Sequence, residues 1–243
     1  MVFVDYEYWF YSYQTIFGIK PSPISFRKDL EKKYNISDIM VFGDFSRGPI
    51  TGELAKIREI TNAIIETQNT DSHRTKDMTD FIMLDYIYQT AADRKDIKTY
   101  VIFTGDGHFH SVAKYLSHKL KKKVVIYGVR GSVSKSLKSA TEDVTELPGR
   151  YELSRDIVDA IVSNFEYVER HEEIVPTFKT TVTAVSRKSG IPEKDIQDVL
   201  RCLMEDGMVK ETATKLASGN TVNVLSMDKN ALTEAELIKK PTF

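Results

Sequence analysis

The chain has 243 residues, of which 41% are hydrophobic and 28% charged, so it can form one large or two modest globular domains and is too apolar for a disordered chain. Its single cysteine, Cys202, excludes an internal disulfide framework and a cysteine-based zinc cluster, because both need several thiols. The net charge of −1 gives no overall indication of a nucleic-acid partner.

The N-terminal segment does not have the pattern of a targeting signal. It carries Asp5 and Glu7 where a signal peptide carries basic residues. No apolar run approaches the roughly 18 residues that a membrane-spanning helix needs. We therefore expect a cytoplasmic protein without a membrane partner.

The first 150 residues alternate short β-branched runs with longer amphipathic stretches, which is typical of a parallel sheet covered by helices. Nearly continuous apolar runs predict strands buried on both faces at residues 2–4, 39–42, 100–103 and 124–127. Helical spacing of apolar residues predicts helices at residues 23–33, 53–67, 79–92 and 109–121. We therefore predict an α/β fold, a parallel-sheet α/β/α sandwich.

A domain boundary is expected where Pro148 and Gly149 follow the last α/β pattern, which gives domains at residues 1–148 and 149–243. The second domain is predicted to contain helices and then strands at residues 157–168, 182–188, 192–204, 208–212 and 221–225. Three helices followed by a hairpin are typical of a winged helix. After the hairpin we expect one short helix from Leu232 and a frayed tail.

Three aspartates are expected at the carboxyl ends of strands, the edge where a doubly wound sheet places its chemistry. Asp5 follows the first strand, Asp106 follows the strand at 100–103, and Asp80 opens a helix that enters the same edge. Carboxylates gathered there repel one another unless a cation compensates, and oxygen-only ligands favour Mg²⁺ or Mn²⁺. Attack of a metal-activated water on a phosphodiester is the natural chemistry of such a site. Each aspartate alone also fits a turn or a helix cap.

Five strings in this order carry a family resemblance: VFVDYEYWFYS, FGDFSR, KDMTDFIMLDYIYQ, VIFTGDGHFHSVAKYL and IYGVRGSVSKSLKSATEDVTEL. Together they resemble the NYN domains of the PIN-like nuclease superfamily, over about residues 1–148. The resemblance implies a metal-dependent ribonuclease. It matches Asp5 to the acid after the first strand, Asp80 to the acid of a lysine-then-acid motif whose lysine is Lys76, and Asp106 to the acid of a Ser/Thr-Gly-Asp loop. Asp5, Asp80 and Asp106 are thus the expected catalytic and metal-binding residues.

The chain departs from the family pattern at two positions. Tyr8 stands where the family commonly has Asn, and His108 stands where it commonly has a second acid. A neutral His108 can still ligate a metal or hydrogen-bond to a metal-bound water, but it removes one negative charge, so weaker metal affinity is expected. An active ribonuclease and a catalytically degenerate nucleic-acid-binding or regulatory module, acting through the winged helix, both stay open.

Cationic and aromatic side chains near the aspartates are candidates for substrate binding. Lys76 lies in a polar loop, and Arg47 lies beside Asp44, which follows the second strand and either orients a ligand or forms a turn. Most of the aromatic residues after Asp5 are expected in the core. Only Tyr8 is expected to stack on an unpaired base, which favours single-stranded RNA as the substrate.

The predicted third helix of the winged helix is acidic. Residues 192–206 contain five acidic residues against Lys194 and Arg201. Duplex DNA would be repelled by that face, so a protein partner or a homodimer is at least as good a prediction as nucleic acid.

Overall fold

A computed structural model describes residues 1–46, 48–67, 78–171, 173–215 and 219–238. The chain divides into two compact units, Met1–Gly149 and Arg150–Phe243. Within the described ranges, no helix combines the length and the apolar character that crossing a membrane requires.

The first unit is built on a six-stranded sheet in which every strand is parallel to its neighbours. The strands are β1 (Val2–Asp5), β2 (Ile39–Gly43), β3 (Ile64–Glu66), β4 (Thr99–Phe103), β5 (Lys123–Val129) and β6 (Val144–Leu147). Their spatial order is β3-β2-β1-β4-β5-β6, so the direction of winding reverses between β1 and β4. In open α/β sheets, ligands bind in the crevice at the carboxyl ends of the strands at this switch point.

Helices cover both faces of this sheet. One face carries α1 (Tyr6–Phe17), α2 (Pro23–Lys33) and α3 (Leu54–Arg58), and the other carries α4 (Thr79–Asp93), α5 (His110–Lys114) and α6 (Lys135–Lys138). Successive strand residues point to opposite faces, so Val2 and Val4 enter one core and Phe3 enters the other. This arrangement confirms the predicted parallel-sheet α/β/α sandwich.

The predicted helix at residues 53–67 is wrong. The chain forms a 3₁₀ turn at Gly48–Glu53, the short α3, and then the edge strand β3. Thr61 ends the helical stretch because its hydroxyl donates to Ile39 O (2.6 Å) and accepts from Ala63 N–H (2.9 Å), which offers the backbone an alternative to the helix. The opposite edge strand, β6, was not predicted either.

Aromatic packing fixes α1 on the sheet. The Trp9 ring stacks on Phe103 of β4 with centroids 4.5 Å apart and meets Phe26 of α2 edge-on at 5.2 Å. All three side chains are buried. Burial of aromatic side chains contributes several kcal/mol to the stability of the folded state. These contacts therefore determine which side of α1 faces the carboxyl edge of the sheet.

The described residues of the second unit form three long helices, an antiparallel hairpin and a short final helix, in the predicted order. These elements are α7 (Arg155–Glu169), α8 (Phe178–Ser189), α9 (Glu193–Glu205), β7 (Val209–Lys215), β8 (Thr221–Met227) and α10 (Lys229–Glu234). Its core joins all three long helices to the hairpin through residues that include Phe165, Val182, Ile196 and Leu225.

Candidate active site

A cavity of about 380 Å³ opens at the carboxyl edge of the sheet. Its lining residues come from the end of β1, the first two turns of α1, the start of α4 and the loop after β4. They are Asp5, Glu7, Tyr8, Tyr11, Ser12, Asp80 and Asp106. The three aspartates selected from the sequence therefore share one cavity, at the switch point between β1 and β4.

Asp5 is held rigidly at the junction of β1 and α1. Its side chain is nearly buried, with 6% of the residue exposed. Oδ1 accepts the Tyr8 N–H at 3.0 Å as the N-cap of α1, and Oδ2 accepts the Thr104 hydroxyl at 3.4 Å. A carboxylate is favoured at a helix N-terminus by the free N–H groups and the helix dipole. Asp5 is thus both a helix cap and part of the cavity wall.

Asp80, Asp106 and His108 form a cluster with the spacing of metal ligands. Each offers one ligand atom, and these atoms lie within 4.8 Å of one another. His108 Nδ1 lies 3.2 Å from Asp106 Oδ1 and 3.9 Å from Asp80 Oδ2. Asp106 Oδ1 also accepts the His108 N–H at 2.8 Å, which fixes the turn that carries both side chains. Asp80 and Asp106 line the cavity together with Asp5, whereas His108 is not among its lining residues and Asp5 is not one of the cluster.

Glu7 is a cavity residue that the sequence did not identify. Its Oε2 accepts the Thr79 hydroxyl at 2.7 Å, and the Thr79 oxygen lies 2.6 Å from the Thr67 hydroxyl. Because Thr79 donates its only hydroxyl proton to the acceptor-only carboxylate, Thr67 is the donor in the second bond. Both threonines are buried. This chain of hydrogen bonds ties the first residue of α4 to α1 and so positions the adjacent Asp80.

The Tyr8 hydroxyl is engaged with the turn after β5. It accepts the Val129 N–H at 2.8 Å and lies 2.6 Å from Ser132 Oγ, whose own proton goes to Val129 O. Burial raises the pKa of the Tyr8 phenol, so the hydroxyl stays protonated and donates to Ser132. Its ring covers Gly105, where a side-chain carbon would come within 2.5 Å of the ring carbons.

Asp44 is not among the residues that line the cavity. Asp44 Oδ1 accepts the N–H of Ser46 at 2.9 Å and also its hydroxyl, which is the geometry of a turn. Lys76 and Arg47 lie outside the described residues. Substrate or orienting roles for Tyr8, Asp44, Lys76 and Arg47 stay predictions.

We expect Thr79→Val to lower the free energy of unfolding of the first unit by about 1–3 kcal/mol, because valine leaves the carboxylate of Glu7 and the hydroxyl of Thr67 without this partner in a buried region. Thr79→Ser keeps the hydroxyl and should cost less. Urea unfolding of both variants measures the difference. A larger loss of stability in Thr79→Ser than in Thr79→Val would show that packing of the methyl group, and not the hydrogen bonds, holds the start of α4.

Comparison with known proteins agrees with this architecture. Residues 1–148 match the NYN domain family. A crystal structure of a protein of unknown function from Vibrio parahaemolyticus is similar with a TM-score of 0.53 and 15% sequence identity, and the match covers 60% of this chain and 90% of that one. At that identity the similarity bears on the fold alone. No curated protein matches the chain.

Proposed function

The chain belongs to the NYN domain family, whose members are generally nucleases, and we propose that its first unit is a metal-dependent ribonuclease. The observation that carries the proposal is the cluster of Asp80, Asp106 and His108, whose two aspartates line a cavity together with Asp5. The choice of RNA rests on the family resemblance, and the choice of a single strand rests on the expected stacking of an aromatic ring on an unpaired base. The single cysteine suits a reducing compartment, so the cytoplasm is the proposed location.

The donor atoms of this cluster fit a divalent cation. Asp80 and Asp106 supply carboxylate oxygens, which suit Mg²⁺ and Mn²⁺, and His108 supplies an imidazole nitrogen, which Mn²⁺ accepts more readily than Mg²⁺ does. These three residues, with Asp5 beside them, would hold the ion. A bound ion of this kind neutralises charge on the phosphodiester and activates the attacking water.

The chain's own residues keep these donors in place. Backbone N–H groups at two turns hold the carboxylates of Asp5 and Asp106, and the Glu7–Thr79 hydrogen bond holds the start of the helix that carries Asp80. Tyr8 ties α1 to the turn after β5. Such supporting contacts matter because catalytic groups must be held close to their productive geometry.

A second candidate function is a catalytically degenerate module that binds nucleic acid or regulates a partner through its second unit. His108 favours it, since an imidazole stands beside two carboxylates where the family pattern has a further acid. The two functions differ in whether the wild-type protein cleaves RNA.

We propose that the second unit is a winged helix that selects the substrate or a partner. Its element order, three helices and then a hairpin, supports this assignment. On α9, Asp195 and Asp198 are exposed, whereas Arg150 pairs with Glu205 and Asp206 next to the end of the helix. The exposed acids disfavour duplex nucleic acid on this helix, so a protein partner or a second copy of the chain is the better occupant.

Metal dependence tests the ribonuclease proposal. We expect the protein to cleave a single-stranded RNA in Mn²⁺, to lose this activity in EDTA, and to recover it when Mn²⁺ is restored. Mn²⁺ should also raise the melting temperature, because an ion at about 100 times its dissociation constant stabilises the folded state by about 2.7 kcal/mol. Asp106→Asn should shrink this shift. Cleavage that survives EDTA, or equal shifts in both proteins, would contradict the proposed site.

A further inference from the structure

Two tyrosines on α1 line the candidate active site, and they differ in how their side chains are held. The Tyr8 ring lies over Gly105 and its hydroxyl is engaged with Val129 and Ser132. Tyr11, three residues further along the same helix, lines the same cavity and is 43% exposed. Tyr11 therefore presents a more exposed ring to the cavity than Tyr8 does.

We propose that Tyr11 is the residue on which an unpaired base of the substrate stacks. This inference rests on the proposed ribonuclease function, which makes a single-stranded nucleic acid the occupant of the cavity. Stacking on an aromatic ring accepts any base, because every base has a π face. Paired bases in a duplex are already stacked, so the same contact would favour single strands.

The contact that orients the Tyr11 ring suits this role. Its ring meets the fully buried Phe10 edge-on, with centroids 5.4 Å apart and planes at 88°. A ring that neighbouring side chains already orient loses little conformational freedom when a ligand stacks on it, and this preorganisation favours binding. The helix separates Tyr11 from Asp5 by about 9 Å along its axis, so the base would belong to a nucleotide next to the reacting phosphate rather than at it.

The chain offers a matched control. Tyr88 on α4 is 42% exposed and its ring contacts Tyr115, but it is not among the residues that line the cavity. Tyr88→Ala therefore removes an equally exposed phenol ring from a different surface of the same unit. Tyr11→Leu is a second useful variant, because leucine keeps an apolar contact with Phe10 and lacks an aromatic face.

Binding of a fluorescein-labelled single-stranded RNA, followed by anisotropy in EDTA so that the strand stays intact, tests the inference. Tyr11→Ala and Tyr11→Leu should each weaken binding at least about fivefold, the low end of the effect of losing one stacked base. Tyr11→Phe and Tyr88→Ala should bind like the wild type. On an abasic strand of the same length, the wild type and Tyr11→Ala should bind equally, because no base is present to stack.

Three outcomes would overturn the inference: undetectable binding of RNA by the wild type, wild-type affinity in the Tyr11→Ala and Tyr11→Leu variants, or an equal loss on the abasic strand. Cleavage in Mn²⁺ is measured separately with the same RNA. If the Tyr11 effect depends on the bases but no cleavage occurs, the ribonuclease proposal fails and the stacking role of Tyr11 stands.

Discussion

Asp80→Asn is expected to reduce Mn²⁺-dependent RNA cleavage by more than about 100-fold. Replacing residues that merely support metal ligands typically costs about 10- to 100-fold in metal affinity or activity, and loss of a ligand charge should cost more. Asparagine keeps the shape of the side chain, so the fold should survive. Loss of a favourable charge at the N-terminus of α4, about 0.3–1 kcal/mol, is offset by relief of repulsion from Asp106. Cleavage rates and urea unfolding measure the two effects separately.

Asp85→Asn is the matched control for this variant. Asp85 lies on the same helix and is exposed, its Oδ2 accepts the Gln89 side-chain amide at 2.7 Å, and it does not line the cavity. Its replacement should leave cleavage unchanged. An equal loss in both variants, or a wild-type rate in Asp80→Asn, would remove Asp80 from the metal site.

The central strands of the sheet could be predicted from the sequence, and the edge strands could not. β1, β2, β4 and β5 are buried on both faces, so nearly every residue in them is apolar. β3 has only three residues and partial burial, and Ile64 also continues the helical spacing of Ile57 and Ile60. Pairing with β2 makes residues 64–66 a strand, and such pairing is a tertiary contact that local periodicity does not contain.

Some residues of the candidate site could be predicted from the sequence, and others could not. Asp5 and Asp106 could be located because they lie at or just after the ends of strands, and parallel strands bring their carboxyl ends to one edge. Glu7 and Tyr11 depend on the rotation of α1 about its axis. Most residues from Tyr6 to Tyr13 are aromatic, so several helical phases give an apolar face. Packing of Trp9 against Phe103 selects one of them.

The residue at position 108 decides whether the cluster contains a third carboxylate beside those of Asp80 and Asp106. Its Nδ1 lies 3.2 Å and 3.9 Å from the nearest carboxylate oxygens of Asp106 and Asp80, and its side chain is 79% exposed. A carboxylate at this position would add a negative charge close to two others. Without an ion the three charges repel one another, and with a divalent cation each is attracted to it. Replacing His108 by aspartate is therefore expected to destabilise the folded protein in the absence of Mn²⁺ and to strengthen its binding of Mn²⁺.

We expect His108→Asp to lower the melting temperature in EDTA and to raise Mn²⁺ affinity by about 10- to 100-fold, the range by which residues around metal ligands typically change metal affinity. His108→Ala is the control, because it removes the imidazole without adding charge, and it should weaken Mn²⁺ binding. Thermal unfolding across a Mn²⁺ titration measures both.

If the chain is an active ribonuclease, His108→Asp keeps or increases RNA cleavage. If only His108→Asp cleaves RNA and the wild type does not, the first unit is a degenerate nuclease, and the function lies with the second unit and its partner. Unchanged Mn²⁺ affinity in both variants would exclude His108 from the ion site.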